Sequence, residues 1–294
     1  IILLQHERLC GFPADFITVM KSTPTSNEDV MKFQLLNVDT NAKTVKGQSK
    51  GYMTAVLYLL PAELSGVNLC PLAETAGCDV GCLNTAGRGG IAKDRATFTA
   101  PNGVEIPDNA VQRARLRRSL MFLHDRDGFM LQLWKEIIAA RCMAERRGLT
   151  LVVRLNGTSD IRWEDIPAAP VSNAPIFTVF RDIQFYDYTK IPNRRRALKY
   201  RNYHLTFSYS DKPEFAPIIV QALRTYGERV NFAGVFSGEI PTYYMGRWTI
   251  NGDEHDLRFT DTPNRFVALK AKGRAKQDRS GFTIRPTAFQ IATA

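Results

Sequence analysis

Short apolar runs, too far apart for hairpin turns, set the terms on which this sequence folds. "GYMTAVLYLLP" (51–61), "LTLVVRLNG" (149–157), "IQFYDYT" (183–189), "YHLTFSYS" (203–210), "NFAGVFSG" (231–238) and "RFVALKAKG" (265–273) read as strands. "RWTINGDEHDLRF" (247–259) reads as a strand, a turn and a second strand or helix start. Residues 108–148 carry apolar positions at helical spacing, with a break near 125–128 and a stop at Gly148. Residues 213–227 form a second helix, with Pro near its start and Gly at its end. Strands alternating with helices or long connections give a mostly parallel sheet covered on both faces. The expected fold is therefore α/β, a (β/α) barrel or partial barrel over residues 46–294. Residues 1–45 show no strong period and read as an N-terminal extension.

The apolar runs end in polar clusters at their C-terminal tips. "LVVRL" leads into "NGTSDIRWED", "IQF" into "YDYTK", "HLTF" into "SYSD" and "AGVF" into "SGE". In a (β/α) barrel those tips form the active-site rim, although strand ends are polar wherever loops begin. Asp160, Tyr186, Tyr188 and Lys190 are the candidate catalytic groups, and Asn156 a candidate cofactor contact. Tyr186, Tyr188 and Lys190 alternate and so share one strand face. Asp160 and Glu164 flank Trp163. They read either as acid–base groups beside a stacking platform or as a helix start with the indole packed inward.

The segment "NLCPLAETAGCDVGCLNTAGRGG" (68–90) holds Cys70, Cys78 and Cys82 of the chain's five cysteines, spaced C-x7-C-x3-C. A disulfide would strand one of the three, and a secreted framework would be denser and even-numbered. A reducing, cytoplasmic location is expected. Structural zinc prefers four ligands, and the histidines show no paired spacing; His255 is the best distant fourth ligand. Three thiolates suit three irons of a [4Fe–4S] cluster, with the fourth iron open. Zinc and plain packed thiols are the alternatives. The loop glycines let the chain wrap a bulky group, and Arg88 is placed to meet an anion.

The formal net charge is +10, from 39 Lys and Arg against 29 Asp and Glu. The basic residues cluster, which favours a nucleic-acid or nucleotide partner. Arg194, Arg195 and Arg196 in "NRRRALKYR", and Lys270, Lys272, Arg274 and Lys276 in "KAKGRAKQDR", are the candidate phosphate contacts. "GDEHD" offers Asp253, His255 and Asp256 as a hard-metal or acid–base group, or simply a charged turn. The sequence has no P-loop, GxSxG or HExxH, which takes away support for ordinary NTPase, hydrolase and zincin chemistry. No apolar stretch is long enough to span a bilayer, and the opening "IILLQHERLCGFP" does not read as a signal peptide. No membrane partner is expected.

The cysteine loop resembles the "C-P-x(5–6)-C-x(2–3)-C" element of phage-encoded proteins that include the mycobacteriophage gene-product-88 family. "TNAKTVKG", "LYLLPAELSGVNLCP", "CLNTAGRGG", "RLNGTSDIRWE", "FYDYTK", "NYHLTFSYS" and "INGDEHDLRF" extend that resemblance over most of the chain from about Asp39. Those proteins are themselves similar to radical-SAM-like barrels, in which the cluster motif follows the first barrel strand, as Cys70, Cys78 and Cys82 follow "YMTAVLYLL" here. The similarity to those barrels implies a radical-SAM-like iron–sulfur enzyme with SAM as a possible ligand, and the basic clusters point it to nucleic acid or a nucleotide. The spacing departs from the usual C-x3-C-x2-C, and "LNG" (155–157) and "FSG" (236–238) are only partial substitutes for a glycine-rich SAM-contacting tip. A nucleic-acid-binding or nucleolytic protein with a structural metal at the same cysteines is the alternative.

Overall fold

In the computed structural model, alternation along the strands sorts side chains onto two faces of one sheet. The structure describes residues 33–39, 42–79 and 81–287. The chain divides at Leu35, and the unit from Leu35 onward is the one described below. Most of the first 45 residues lie outside the described part. Leu36–Val38 nevertheless forms β1 and Ala42–Lys46 a short helix, α1.

The remaining strands are β2 (Tyr52–Leu57), β3 (Thr97–Thr99), β4 (Glu105–Pro107), β5 (Thr150–Arg154), β6 (Gln184–Thr189), β7 (Tyr203–Ser208), β8 (Phe232–Phe236), β9 (Tyr243–Tyr244), β10 (Arg247–Asn251) and β11 (Arg265–Lys270). Helices α2 (Ala110–His124), α3 (Arg126–Arg146), α4 (Ile176–Val179) and α5 (Ala216–Tyr226) lie between them. The main sheet runs β1-β2-β5-β6-β7-β8-β11-β10-β9, and β3 and β4 pair in a small hairpin. Strands β2, β5, β6, β7, β8, β11 and β10 are parallel, while β1 and β9 are antiparallel edges.

The parallel strands from β2 to β8 follow chain order, as in a barrel sector, but the sheet does not close. Of the expected barrel or partial barrel, the mostly parallel α/β sheet is present and closure is not: the strands form an open sheet of nine. The antiparallel edges give the physical reason: β1 occupies the free side of β2 and β9 the free side of β10, so neither edge offers the other a parallel partner.

Pairing registers place Phe185 beside Tyr203 and Phe207 beside Phe232 on one face. That face meets α3, α4 and α5: α3 packs on β1, β2 and β5, and Phe177 of α4 stacks on Tyr203 at 4.0 Å. A core of Phe207, Phe215, Ala222, Tyr226, Phe232 and Phe266 seals the α5 side. The opposite face carries Tyr52, Arg154, Tyr186 and His204 and is covered by residues 252–261 of the β10–β11 crossover. Asp256 accepts from Arg154 at 2.9 Å, and Phe259 meets Tyr52 edge-on at 5.3 Å.

Helix α2 shows why periodicity alone describes it poorly. Its buried side includes Gln112, Arg115, Arg118 and Ser119 as well as Phe122. Those polar groups serve the loop and strand above them: Ser119 Oγ accepts the N–H of Leu60 at 2.8 Å. Asn109 caps α2 by accepting from Gln112 N at 2.9 Å, and Asp125 caps α3 by accepting from Gly128 N at 3.0 Å. Among the described residues no helix is long and apolar enough to cross a membrane.

Candidate metal centre

The carboxyl ends of the parallel strands gather along one edge of the sheet, where open α/β proteins bind ligands. The cysteine loop leaves the tip of β2 and lies against the tips of its neighbours. Gly157 N, just past β5, donates to Leu57 O at 2.9 Å, and a Cβ on Gly157 would stand 2.6 Å from that carbonyl. The glycine in "LNG" thus answers a close approach of two backbones. Asp160 N donates to Leu69 O at 2.8 Å, and the Cys70 thiol donates to Thr158 O at 3.5 Å.

Beyond β7, Ser210 Oγ donates to Ala76 O at 2.7 Å and Lys212 Nζ to Glu74 O at 2.9 Å. Beyond β11, Ser280 Oγ donates to Gly77 O at 2.9 Å. Gly77 has φ +67°, and a Cβ there would meet Ser280 Oγ at 2.6 Å, so glycine is required on both counts. The limb after Cys82 is held from α2. Arg115 donates to Asn84 O at 2.7 Å and to Asn84 Oδ1, and Gln112 donates to Asn84 O and Gly89 O at 3.0 and 2.8 Å. Asn84 N in turn donates to Cys82 Sγ at 3.4 Å. The "RARLRR" run therefore supplies a loop anchor, which its charge alone did not indicate.

Cys70, Cys78 and Cys82 are free and half-buried. Burial pushes all three thiols up, Cys82 to about 11, and the sulfurs interact through charge with one another. Lys190 is the cation they share. Its ammonium is pushed down by burial, while the three cysteines and Asp160 favour its charge. Lys190 Nζ donates to Ser208 O at 3.1 Å and Ser208 Oγ at 3.0 Å, and it lies 5.0 Å from the Phe282 ring centroid. Asp160 Oδ2 accepts from Lys190 N at 2.7 Å, and Asp160 Oδ1 stands 3.8 Å from Arg194.

Asp160 and Lys190 thus come together with the cysteines, whereas Tyr186 and Tyr188 do not. Both rings lie on the crossover-covered face. Tyr186 OH donates to Asp256 at 3.4 Å, and Tyr188 lies under Arg154 at 4.9 Å. Lys190 follows the last residue of β6, so strand alternation no longer sets its direction. Asn156 organises the β5 tip: its Oδ1 accepts from Ser159, Ile161 N and Trp163 Nε1 at 3.0–3.1 Å. Trp163 is fully buried against Phe122, which settles its two readings for inward packing. Arg88 is exposed.

Arg194 is corrected from a surface contact to a buried structural group. It donates to both Glu164 oxygens, at 2.9 and 2.5 Å, and to Tyr203 OH at 2.9 Å. Arg195, Arg196, Lys270, Lys272, Arg274 and Lys276 are exposed. The groups of "GDEHD" diverge: Asp253 pairs with Lys43 and Lys272, Asp256 with Arg154, and His255 Nδ1 accepts from Leu257 N at 3.2 Å. Among the described residues no three His, Cys, Asp or Glu side chains are arranged to hold a single metal ion. Sequence reasoning also passed over Asp187, which accepts from Asn156 N at 2.7 Å and Tyr203 OH at 2.8 Å and is pushed up to about 7 by burial.

An open, mostly parallel α/β sheet with free thiols in the loop at its carboxyl edge defines the class of this protein. The chain belongs to the gene product 88 family, whose model matches residues 34–286. That span takes in the cysteine loop and every strand of the sheet. No curated protein and no solved structure matches the chain.

Proposed function

We propose that Cys70, Cys78 and Cys82 ligate three irons of a [4Fe–4S] cluster, and that the protein is a radical-SAM-like enzyme acting on nucleic acid or a nucleotide. The observation that carries this reading is the convergence of three half-buried free thiols on one buried ammonium at the carboxyl edge of a parallel sheet. The donor set fits the group. Buried thiols pushed upward need cationic partners to ionise, and Lys190 with Arg115 beside Cys82 offsets only part of three thiolates. A cubane spreads its cysteines over separate irons, whereas a mononuclear zinc draws its ligands around one point. His255, engaged at the crossover, leaves zinc without its expected fourth ligand.

When bound, such a cluster supplies an open iron for SAM and the electron for its reductive cleavage. The chain's own groups hold and shield that position. Lys190 sets a positive charge beside the thiolates, fixed through its N–H by Asp160 and through its Nζ by Ser208. Phe215 and Phe282 cover the ammonium and limit water. Arg115 and Gln112 hold the Cys82 limb in place. The exposed basic residues recruit the polyanion.

A second reading makes the metal structural and the protein a nucleic-acid binder. The tethering of the loop by Ser210, Lys212 and Ser280 favours it, since a staple needs the same anchors. Incubating the reduced, cluster-loaded protein with SAM separates the two. Cleavage that is lost in a Cys78→Ser variant supports the enzyme, and a full cluster with no cleavage leaves the structural reading.

A further inference from the structure

The run "NRRRALK" (193–199) sends its three arginines to three different fates. Arg194 turns inward to Glu164, and Arg196 pairs with Asp165 at 3.1 Å. Arg195 instead lines a surface pocket of about 350 Å³ with Leu198, Lys199, Arg224, Thr225 and Arg229. Four cations from two separate parts of the fold converge there: the turn before β7, and the end of α5 with the segment after it. No carboxylate lines the pocket, and none of the four cations makes an ion pair among the described residues.

Bringing like charges together without a counter-ion is unfavourable, so the arrangement calls for an anion. The C-terminal carbonyls of α5 account for Arg224, which sits in its last turn. They do not account for Arg195, Lys199 and Arg229. Arginine forks and a lysine ammonium at one open concavity match the oxygens of a phosphodiester. Thr225 adds a hydroxyl of the type that donates to phosphate.

We infer that this pocket is a phosphate-binding subsite that grips the backbone of a polynucleotide. It rests on the reading of nucleic acid as the partner, but not on what the cysteines hold, because none of its residues belongs to the cysteine loop or its anchors.

The test is equilibrium binding of the full-length protein to a fluorescent single-stranded oligonucleotide over a salt series, with an inorganic-phosphate titration alongside. The proteins compared are the native chain, Arg195→Gln/Lys199→Gln, Arg224→Gln/Arg229→Gln, the quadruple variant, and Arg113→Gln. Each double variant is expected to lower the slope of log K against log salt by about 1.4, and the quadruple variant by about 3, from ~0.7 per neutralised phosphate on a single strand. Arg113→Gln, at an exposed cation outside the pocket, is expected to keep the native slope, and the iron content of each variant, expected to equal the native value, separates failure of this inference from failure of the cluster reading. An unchanged slope in variants that retain the native melting temperature overturns the proposal. So does a loss confined to inorganic phosphate, which would mark a small-anion site.

Discussion

Asp160 Oδ2 accepts the main-chain N–H of Lys190 at 2.7 Å, so the turn after β5 fixes where the chain leaves β6. Both side chains are buried, and the bond holds the one ammonium that faces the cysteines. Asp160→Ala removes a charge-assisted bond and strands a buried N–H, a loss of about 1.5–3 kcal/mol. Asp160→Asn keeps an acceptor and is expected to lose less. Urea unfolding midpoints of the two variants check the order, and equal losses would place the effect in packing.

Glu164 and Arg194 form a buried bidentate pair at 2.9 and 2.5 Å. Removing one partner leaves the other charge uncompensated, so Glu164→Ala is expected to cost about 3–5 kcal/mol. Arg195→Gln, one residue along at an exposed position, is expected to stay within about 0.5 kcal/mol of the native protein. Chemical denaturation of the two variants makes the comparison. Similar losses would contradict the assignment of Arg194 to the interior.

Arg115 reaches the proposed metal centre through Asn84, whose N–H donates to Cys82 Sγ. Partners one step from a ligand typically change metal affinity by about 10–100-fold. Arg115→Ala is expected to raise metal loss to a chelator by that order and to expose the Cys82 thiol to alkylation. Arg113→Ala, at an exposed pair with Asp108, serves as the control and is expected to do neither. Comparable release from both variants would make the effect one of overall charge.

Much of the sheet was legible because its strands carry short apolar runs closed by glycine, proline or polar tips. The break between α2 and α3 was legible for the same kind of reason, as Asp125 caps the second helix. The edges were not. β1 and β9 are three and two residues long, too short to show a period. Without them an ordered series of parallel strands reads as a barrel. At the site, the cysteine loop was visible as a cluster. The fates of Arg194 and Arg195 were not, because adjacent arginines look alike until tertiary structure gives one a buried Glu164. Tyr186 and Lys190 parted company because alternation holds only within the strand, and β6 ends at Thr189.

His204 is largely buried on the crossover-covered face, with Arg258 nearby and Nε2 unpartnered, and burial holds its pKa down at about 4. Between that value and the unfolded value near 6.5, the folded chain binds fewer protons than the unfolded one. Its contribution to stability is therefore present above pH ~6.5 and lost as pH falls toward 4. Each unit of the displacement is worth about 1.4 kcal/mol. His204→Gln is expected to flatten the acid side of the stability curve relative to the native protein. Parallel curves from pH 7 to 4.5 would show that the imidazole does not titrate in the way its burial requires.

The thiol centre is tested by anaerobic purification followed by measurement of iron, acid-labile sulfide and zinc, with the visible spectrum recorded on the same sample. About four irons and four sulfides per chain, with a broad brown absorbance that Cys78→Ser abolishes, is the expected result. One tightly held zinc with neither iron nor sulfide would contradict the cluster and leave Cys70, Cys78 and Cys82 as a structural site.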